Sequence, residues 1–160
     1  MYAGMAGPPI VVFQDLDRPV MSAIFGEVMC TTYTEFGAVG LITSGVAGDL
    51  DHVEAMSFLR FPDGAICALG YCHILQIAVL VHVGGICVML GQHLHGDRNG
   101  VAAIPHELAS EVAHASAELV AAEQIVFDYL KSPNINPKGC AEVRKECKNH
   151  IDGLAKRLKR

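Results

Sequence analysis

Residues 22–45 read SAIFGEVMCTTYTEFGAVGLITSG, and the fold turns on how this stretch is read. SAIFGEV (22–28) has the short apolar character of a strand. It runs into MCTTYTEFG (29–37), a short helix that Gly37 closes. AVGLITSG (38–45) then returns as a buried strand bounded by glycines. Strand, helix, strand is the rhythm of an α/β unit, in which loops and ligands gather where strands end.

The flanking segments extend the pattern. PPIVVFQDLDRP (8–19) predicts a strand ending in an acidic turn at Pro19, and DLDHVEAMSF (49–58) predicts a short helical turn. From Gly64 to Gly96 there is no Asp, Glu, Lys or Arg. A run of that length is long enough to span a bilayer. However, His73, Gln76, His82, the Gly84-Gly85 pair, many β-branched residues and the lack of a basic flank favour buried strands joined by a glycine turn. No membrane span is therefore expected, and this region should supply two to four strands. LGQHLHGDRNGVAAIP (90–105) reads as strand, turn, strand, with Asn99-Gly100 tolerating positive φ. Pro105 opens the clearest helix, residues 106–131, with an apolar stripe at Leu108, Val112, Ala115, Leu119, Ala122, Val126 and Tyr129. SPNINPKG (132–139) reads as a linker, and residues 140–160 as a weak basic helix broken near Gly153.

With 160 residues, 51% hydrophobic and 18% charged, the chain fits one domain with a substantial core. The net charge of −5 hides an acidic body and a basic tail: residues 137–160 hold eight Lys/Arg against three Asp/Glu. The six cysteines form no CxxC, no zinc-finger spacing and no disulfide framework, and most sit in apolar runs. That usage fits free, buried thiols in a reducing compartment, and the N-terminus has no secretory pattern, so a cytoplasmic location is expected. There is no internal repeat, no GxGxxG, no P-loop and no HExxH. The absence of Trp and the scarcity of aromatics argue against nucleic-acid binding.

Two constellations are candidates for chemistry. In GVAGDLDHVE (45–54) the acids admit helix capping by Asp49, with Asp51 and Glu54 repeating the capping spacing, or a hard divalent ion on Asp49 with water completing its shell. Local spacing favours capping. Glu27 stands at the end of the preceding strand, so Glu27 and Asp49 together would share one rim of a sheet, a plausible place for a hydrated cation. In HLHGDRNG (93–100), His93, His95 and Asp97 allow a zinc or iron pattern, but a turn tied down by Asp97 and Arg98 is the favoured reading.

FGEVMCTTYTEFGAVGLITSGVAGDLDHVEAM, followed by VGGICVMLGQHLHGDRNGVAAIPHELASEVAHASAEL, resembles the RraA-like family. That family includes the 4-hydroxy-4-methyl-2-oxoglutarate / 4-carboxy-4-hydroxy-2-oxoadipate aldolases with oxaloacetate decarboxylase activity. The resemblance implies a ββα swivelling-type α/β domain over residues 9–131, its N-terminal part absent, with 132–160 as linker and basic tail. It also implies a homotrimer or hexamer with sites between subunits. Carried onto this chain, the family motif places substrate-binding backbone at Gly26, Glu27, Val28 and Met29, with Glu27 as the catalytic residue that orients a metal-bound water. The metal aspartate for Mg²⁺ or Mn²⁺ becomes Asp49, and the position of a substrate-binding arginine falls on Gly48. A guanidinium there would grip a carboxylate in a bidentate way, a contact worth roughly 1.5–3 kcal/mol. His52 and Gln92 also stand where the family usually has acids.

The implied function is a divalent-metal-dependent lyase. It would act on a small 2-oxo dicarboxylic acid and release pyruvate through a metal-stabilised enolate, with Glu118 or Glu123 of a neighbouring subunit as candidate general acid or base. The alternative is a non-catalytic regulatory or protein-binding scaffold, since the family also contains an inhibitor of an RNA-degrading ribonuclease. The basic tail would be its docking element.

Overall fold

A computed structural model describes residues 7–158, as two compact units that divide between Ala103 and Ile104. The first unit opens with β1 (Ile10–Phe13), β2 (Ala23–Phe25) and α1 (Glu27–Glu35). The same order returns in β3 (Gly40–Thr43), β4 (Val46–Ala47) and α2 (Leu50–Ala55), and begins again in β5 (Leu59–Phe61) and β6 (Gly64–Ala65). First strands pair with first strands in a parallel sheet ordered β1-β3-β5, and second strands make a parallel sheet ordered β2-β4-β6. The fold is α/β and built from a repeated ββα unit. The sequence carries no matching repeat, because what recurs is backbone direction and not side-chain identity.

β3 explains why the first sheet is covered on both faces. Successive residues of a strand point to opposite sides. Leu41 packs with Phe25, Cys30, Ala47, Val53 and Phe58 on the side of the helices. Ile42 packs on the other side with Val83 and Val88, joined by the half-buried Ile10, Val12 and Phe61. Val83 and Val88 come from an antiparallel hairpin, β7 (Val81–Val83) and β8 (Ile86–Val88), turned by Gly84 and Gly85 at φ +53° and +84°. β9 (His93–Asp97) and β10 (Gly100–Ile104) form the expected second hairpin, where Gly100 alone takes positive φ and Asn99 does not.

The uncharged region supplies strands in the number expected but departs from the expected burial. It supplies β6, β7 and β8, but residues 66–80 form no strand, and Leu69, Tyr71, Ile74, Leu75 and Ile77 are exposed. No helix among the described residues is long and apolar enough to cross a membrane. The cysteines also differ from the expected burial. All six are free, Cys30 and Cys147 are buried, and Cys67, Cys72 and Cys87 are exposed.

The second unit is a pair of 22-residue helices, α3 (Ala109–Leu130) and α4 (Pro137–Leu158), entered through a short 3-10 turn at His106–Leu108. Ala115 and Ala122 of the apolar stripe are buried, while Leu119 stays partly open. α4 runs unbroken through Gly153, against the expected break. A mid-helix glycine costs about 1 kcal/mol relative to alanine. Cys147 is buried before it, and Arg157 makes a bidentate pair with Glu118 of α3 after it.

Cys30 makes a testable contribution. It is fully buried, and burial pushes its thiol up to about 11, with Asp49 adding to the rise and Arg60 opposing it. A thiol raised in the fold ionises first in the unfolded chain, so its contribution is complete below about pH 9 and is lost as pH climbs toward about 11. Urea midpoints of the native chain should therefore fall more steeply over that window than those of Cys30→Ala.

Candidate functional site

Asp49 is the residue on which the rim is built. It enters α2 in the left-handed region, at φ 51° and ψ 36°. That conformation costs most L-residues about 1–2 kcal/mol and is best tolerated by Gly, Asn and Asp. Its carboxylate does not cap its own helix. Instead Oδ2 accepts the backbone N–H of Glu27 at 3.1 Å, across 22 residues of sequence. The capping expectation is thus corrected: Asp49 serves the first turn of α1, whose own N-cap, Gly26, offers no side chain. Asp51 and Glu54 form no capping box, and Glu54 reaches Arg60 at 3.6 Å.

Gly26 is required by this arrangement. A Cβ at residue 26 would fall on the Asp49 carboxylate, so only glycine lets Asp49 approach the helix end. Gly48 is different. A Cβ there would meet Ala23, Ile66 and Phe25 at 3.6–3.9 Å, ordinary contact distances, so the site has room for a Cβ. Its N–H donates to the Phe25 carbonyl at 2.9 Å, which ties β4 to the end of β2.

Glu27 points into the open beside Asp49, with its Oε2 3.3 Å from Nδ1 of His52. Both side chains are more than half exposed, so the pair contributes little to stability. Val28 is exposed and Met29 packs against the helix-side core. By position, the first-turn N–H groups of Val28 and Met29 have no acceptor within the helix. They add to the positive end of the α1 dipole, next to Asp49. The fold therefore brings Gly26, Glu27, Val28, Met29, Gly48 and Asp49 to one rim and adds His52, which the linear pattern showed only as a departure.

Among the described residues, no group of three or more His, Cys, Asp or Glu side chains is arranged to hold a metal ion. The donor set does not suit zinc or iron, which need three or four strong ligands. It fits a hydrated hard cation such as Mg²⁺ or Mn²⁺, which accepts one or two carboxylates and keeps several waters. Only one oxygen of Asp49 is used by the Glu27 amide. His93–Asp97 is strand β9 and the expected turn follows it, tied down by Asp97 with Asn99 in the place expected of Arg98: Asp97 accepts the Asn99 backbone N–H at 2.7 Å and its side-chain amide at 3.0 Å. These bonds hold the Asp97 carboxyl below its ordinary range. In the helical unit, Glu118 is bound by both Arg157 nitrogens, the shorter at 2.5 Å, which holds its carboxyl below the usual range.

Residues 4–103 match the family model RraA-like, Aldolase/RraA. The chain belongs to the RraA-like family. Solved structures agree on the fold. An uncharacterized protein from Pseudomonas syringae pv. tomato str. DC3000 superposes with TM-score 0.71 at 20% identity, covering 84% of this chain and 66% of that one. A protein described among novel cellulases from microbes of the gut ecosystem gives TM-score 0.62 at 26% identity, covering 72% and 52%. Streptomyces coelicolor RraAS2, described as an unusual member of the RNase ES inhibitor RraA family, gives TM-score 0.62 at 17% identity, covering 77% and 62%. This RraA-like chain spans between about half and two thirds of the length of those solved chains. No curated protein matches it in sequence.

The Gly26–Asp49 contact makes a prediction. Gly26→Ala should destabilise the fold by about 1–3 kcal/mol through overpacking. In an Asp49→Gly background, where the carboxylate is gone, most of that cost should vanish. Urea unfolding of the two single variants and the double variant measures the coupling.

Proposed function

We propose that this chain is a divalent-metal-dependent lyase of the aldolase/decarboxylase type, releasing pyruvate from a small 2-oxo dicarboxylic acid. RraA-like proteins include both such enzymes and inhibitors of RNA processing. The observation that carries the lyase reading is Asp49. A carboxylate held in a left-handed conformation, one oxygen fixed on the α1 amide, is poised to give its other oxygen to a cation. When bound, Mg²⁺ or Mn²⁺ supplies Lewis acidity toward a 2-oxo carbonyl. The chain's own residues do the rest. Asp49 holds the ion, the first-turn amides of Val28 and Met29 receive a substrate carboxylate, and Glu27, steadied by His52, orients water at the rim.

Gly48 supports a second reading, a non-catalytic scaffold, because a glycine at that position offers no guanidinium to grip the substrate. Pyruvate release from oxaloacetate, measured above the protein-free rate with Mg²⁺ and with chelator, separates the two. The lyase reading expects Mg²⁺-dependent turnover that Asp49→Asn lowers on the order of 10²-fold. Gly48→Arg should raise kcat/KM about tenfold or more by restoring a charge-assisted contact. If neither Mg²⁺ nor Gly48→Arg yields turnover, the scaffold reading stands.

RraA-like proteins are generally oligomeric, and the uncharged, exposed segment 66–80 supports assembly of this chain into a homotrimer through that surface. Light scattering should return a mass near three times 17.1 kDa. Leu75→Glu, at a position 74% exposed, should shift it toward one copy without unfolding the chain.

A further inference from the structure

The core between the first sheet and the β7–β8 hairpin is open at one end. Ile42, Val83 and Val88 are its buried part, with Phe61, Ile86 and Val101 packed against them. All of these except Val88 also line a cleft of about 650 Å³ beyond the carboxyl ends of β3 and β5. Ligands of open α/β sheets gather at that end of the strands. The volume lies in the range of clefts that hold small organic molecules, and such clefts join an apolar lining to a few polar groups. The Phe61 ring is seated on Gly96, where a Cβ would stand 2.7 Å from Cζ, so close packing fixes its place in the floor. Neither Glu27 nor Asp49 lines this cleft, which is separate from the rim.

The polar lining divides into groups already engaged and groups left over. Thr43 Oγ1 accepts the Gly45 N–H and Ser44 Oγ accepts the Asp15 N–H, each at 2.9 Å, so both hydroxyls serve the loops themselves. Arg60 borders the cleft beside Phe61, but strand alternation turns its side chain to the opposite face of β5. There its guanidinium lies 3.6 Å from Glu54 of α2. His82 likewise turns outward from the hairpin, its Nδ1 3.2 Å from Cys87 Sγ. Two opposite charges remain in the lining, Arg18 and Asp63. Arg18 Nη1 donates to the Asp17 carbonyl at 2.8 Å, which leaves most of the five guanidinium N–H donors open. Among the described residues neither Arg18 nor Asp63 makes an ion pair, with each other or with another group.

We propose that this cleft binds a free α-amino acid with a bulky apolar side chain. The side chain lies on the floor made by Ile42, Phe61, Val83, Ile86 and Val101. The carboxylate goes to the Arg18 guanidinium, whose fork suits it, and the ammonium goes to the Asp63 carboxylate. A simple carboxylic acid or a simple amine would match one of the two charges and leave the other without a counterpart. Complementarity of charge therefore selects the zwitterion.

Calorimetric titration of the full chain with L-phenylalanine, hydrocinnamate and phenethylamine tests this, because the two analogues keep the ring and each deletes one charge. L-Phenylalanine should bind saturably. Each analogue should bind about tenfold more weakly, the scale of one charge-assisted contact. Glycine, which keeps both charges and lacks the apolar body, should give no saturable heat over the same range. Arg18→Gln should weaken L-phenylalanine about tenfold and leave phenethylamine unchanged. Asp63→Asn should weaken L-phenylalanine to a similar degree and leave hydrocinnamate unchanged. Both positions are exposed, and an unchanged circular dichroism spectrum shows that the fold is kept. Absence of saturable L-phenylalanine binding to the native chain overturns the proposal without recourse to any variant. Binding that neither substitution changes, or analogues that bind as tightly as L-phenylalanine, overturn it as well.

Discussion

The two-sided packing of β3 is the constraint on which the first unit rests. Leu41 and Ile42 are adjacent residues with opposite duties, one closing the core under the helices and the other closing the core under the β7–β8 hairpin. A strand buried on both faces tolerates little that is not apolar and compact, which is why GLIT reads as an uninterrupted buried run. With β3 central, β1 and β5 pair on either side of it in parallel. The chain then has to cross over between strands, and α1 and α2 are those crossings. The site rim follows from this arrangement, since each crossing begins where a strand ends.

Asp49 connects that architecture to chemistry. Its bond to the Glu27 amide ties the start of one crossing helix to the start of the other and holds two acids side by side. The same bond explains a glycine at 26 and a left-handed aspartate at 49, features that look unrelated along the chain. Gly48, by contrast, has room for a Cβ. The glycine there is therefore not demanded by close contact at the Cβ position, as it is at residue 26.

Much of the fold was legible because local signals and tertiary demands coincide in it. Gly37 at φ 91° closes α1 where the pattern ends the helix, and Pro105 opens the long helical segment as expected. Legibility failed where distant contacts decide. Segment 66–80 has the composition of buried strands, yet among the described residues most of its large side chains are exposed, because burial depends on what lies opposite and composition does not encode that. α4 crosses Gly153 because helix-to-helix packing outweighs a local preference of about 1 kcal/mol. At the rim, Glu27 and Asp49 were legible as a pair. Their actual connection was not, since a hydrogen bond across 22 residues leaves no periodic trace.

By itself the sequence determined the α/β class, the order of most elements, the membership in the RraA-like family and the acids at 27 and 49. These follow from patterns a few residues long, which hydrophobic alternation, glycine turns and motif spacing record directly. Only the tertiary structure decided that the unit repeats as ββα, that Asp49 caps the neighbouring helix and not its own, and that His82 meets Cys87 across a hairpin. Each of these depends on two segments approaching in space. Register and close packing set that approach, and no single stretch of chain contains it.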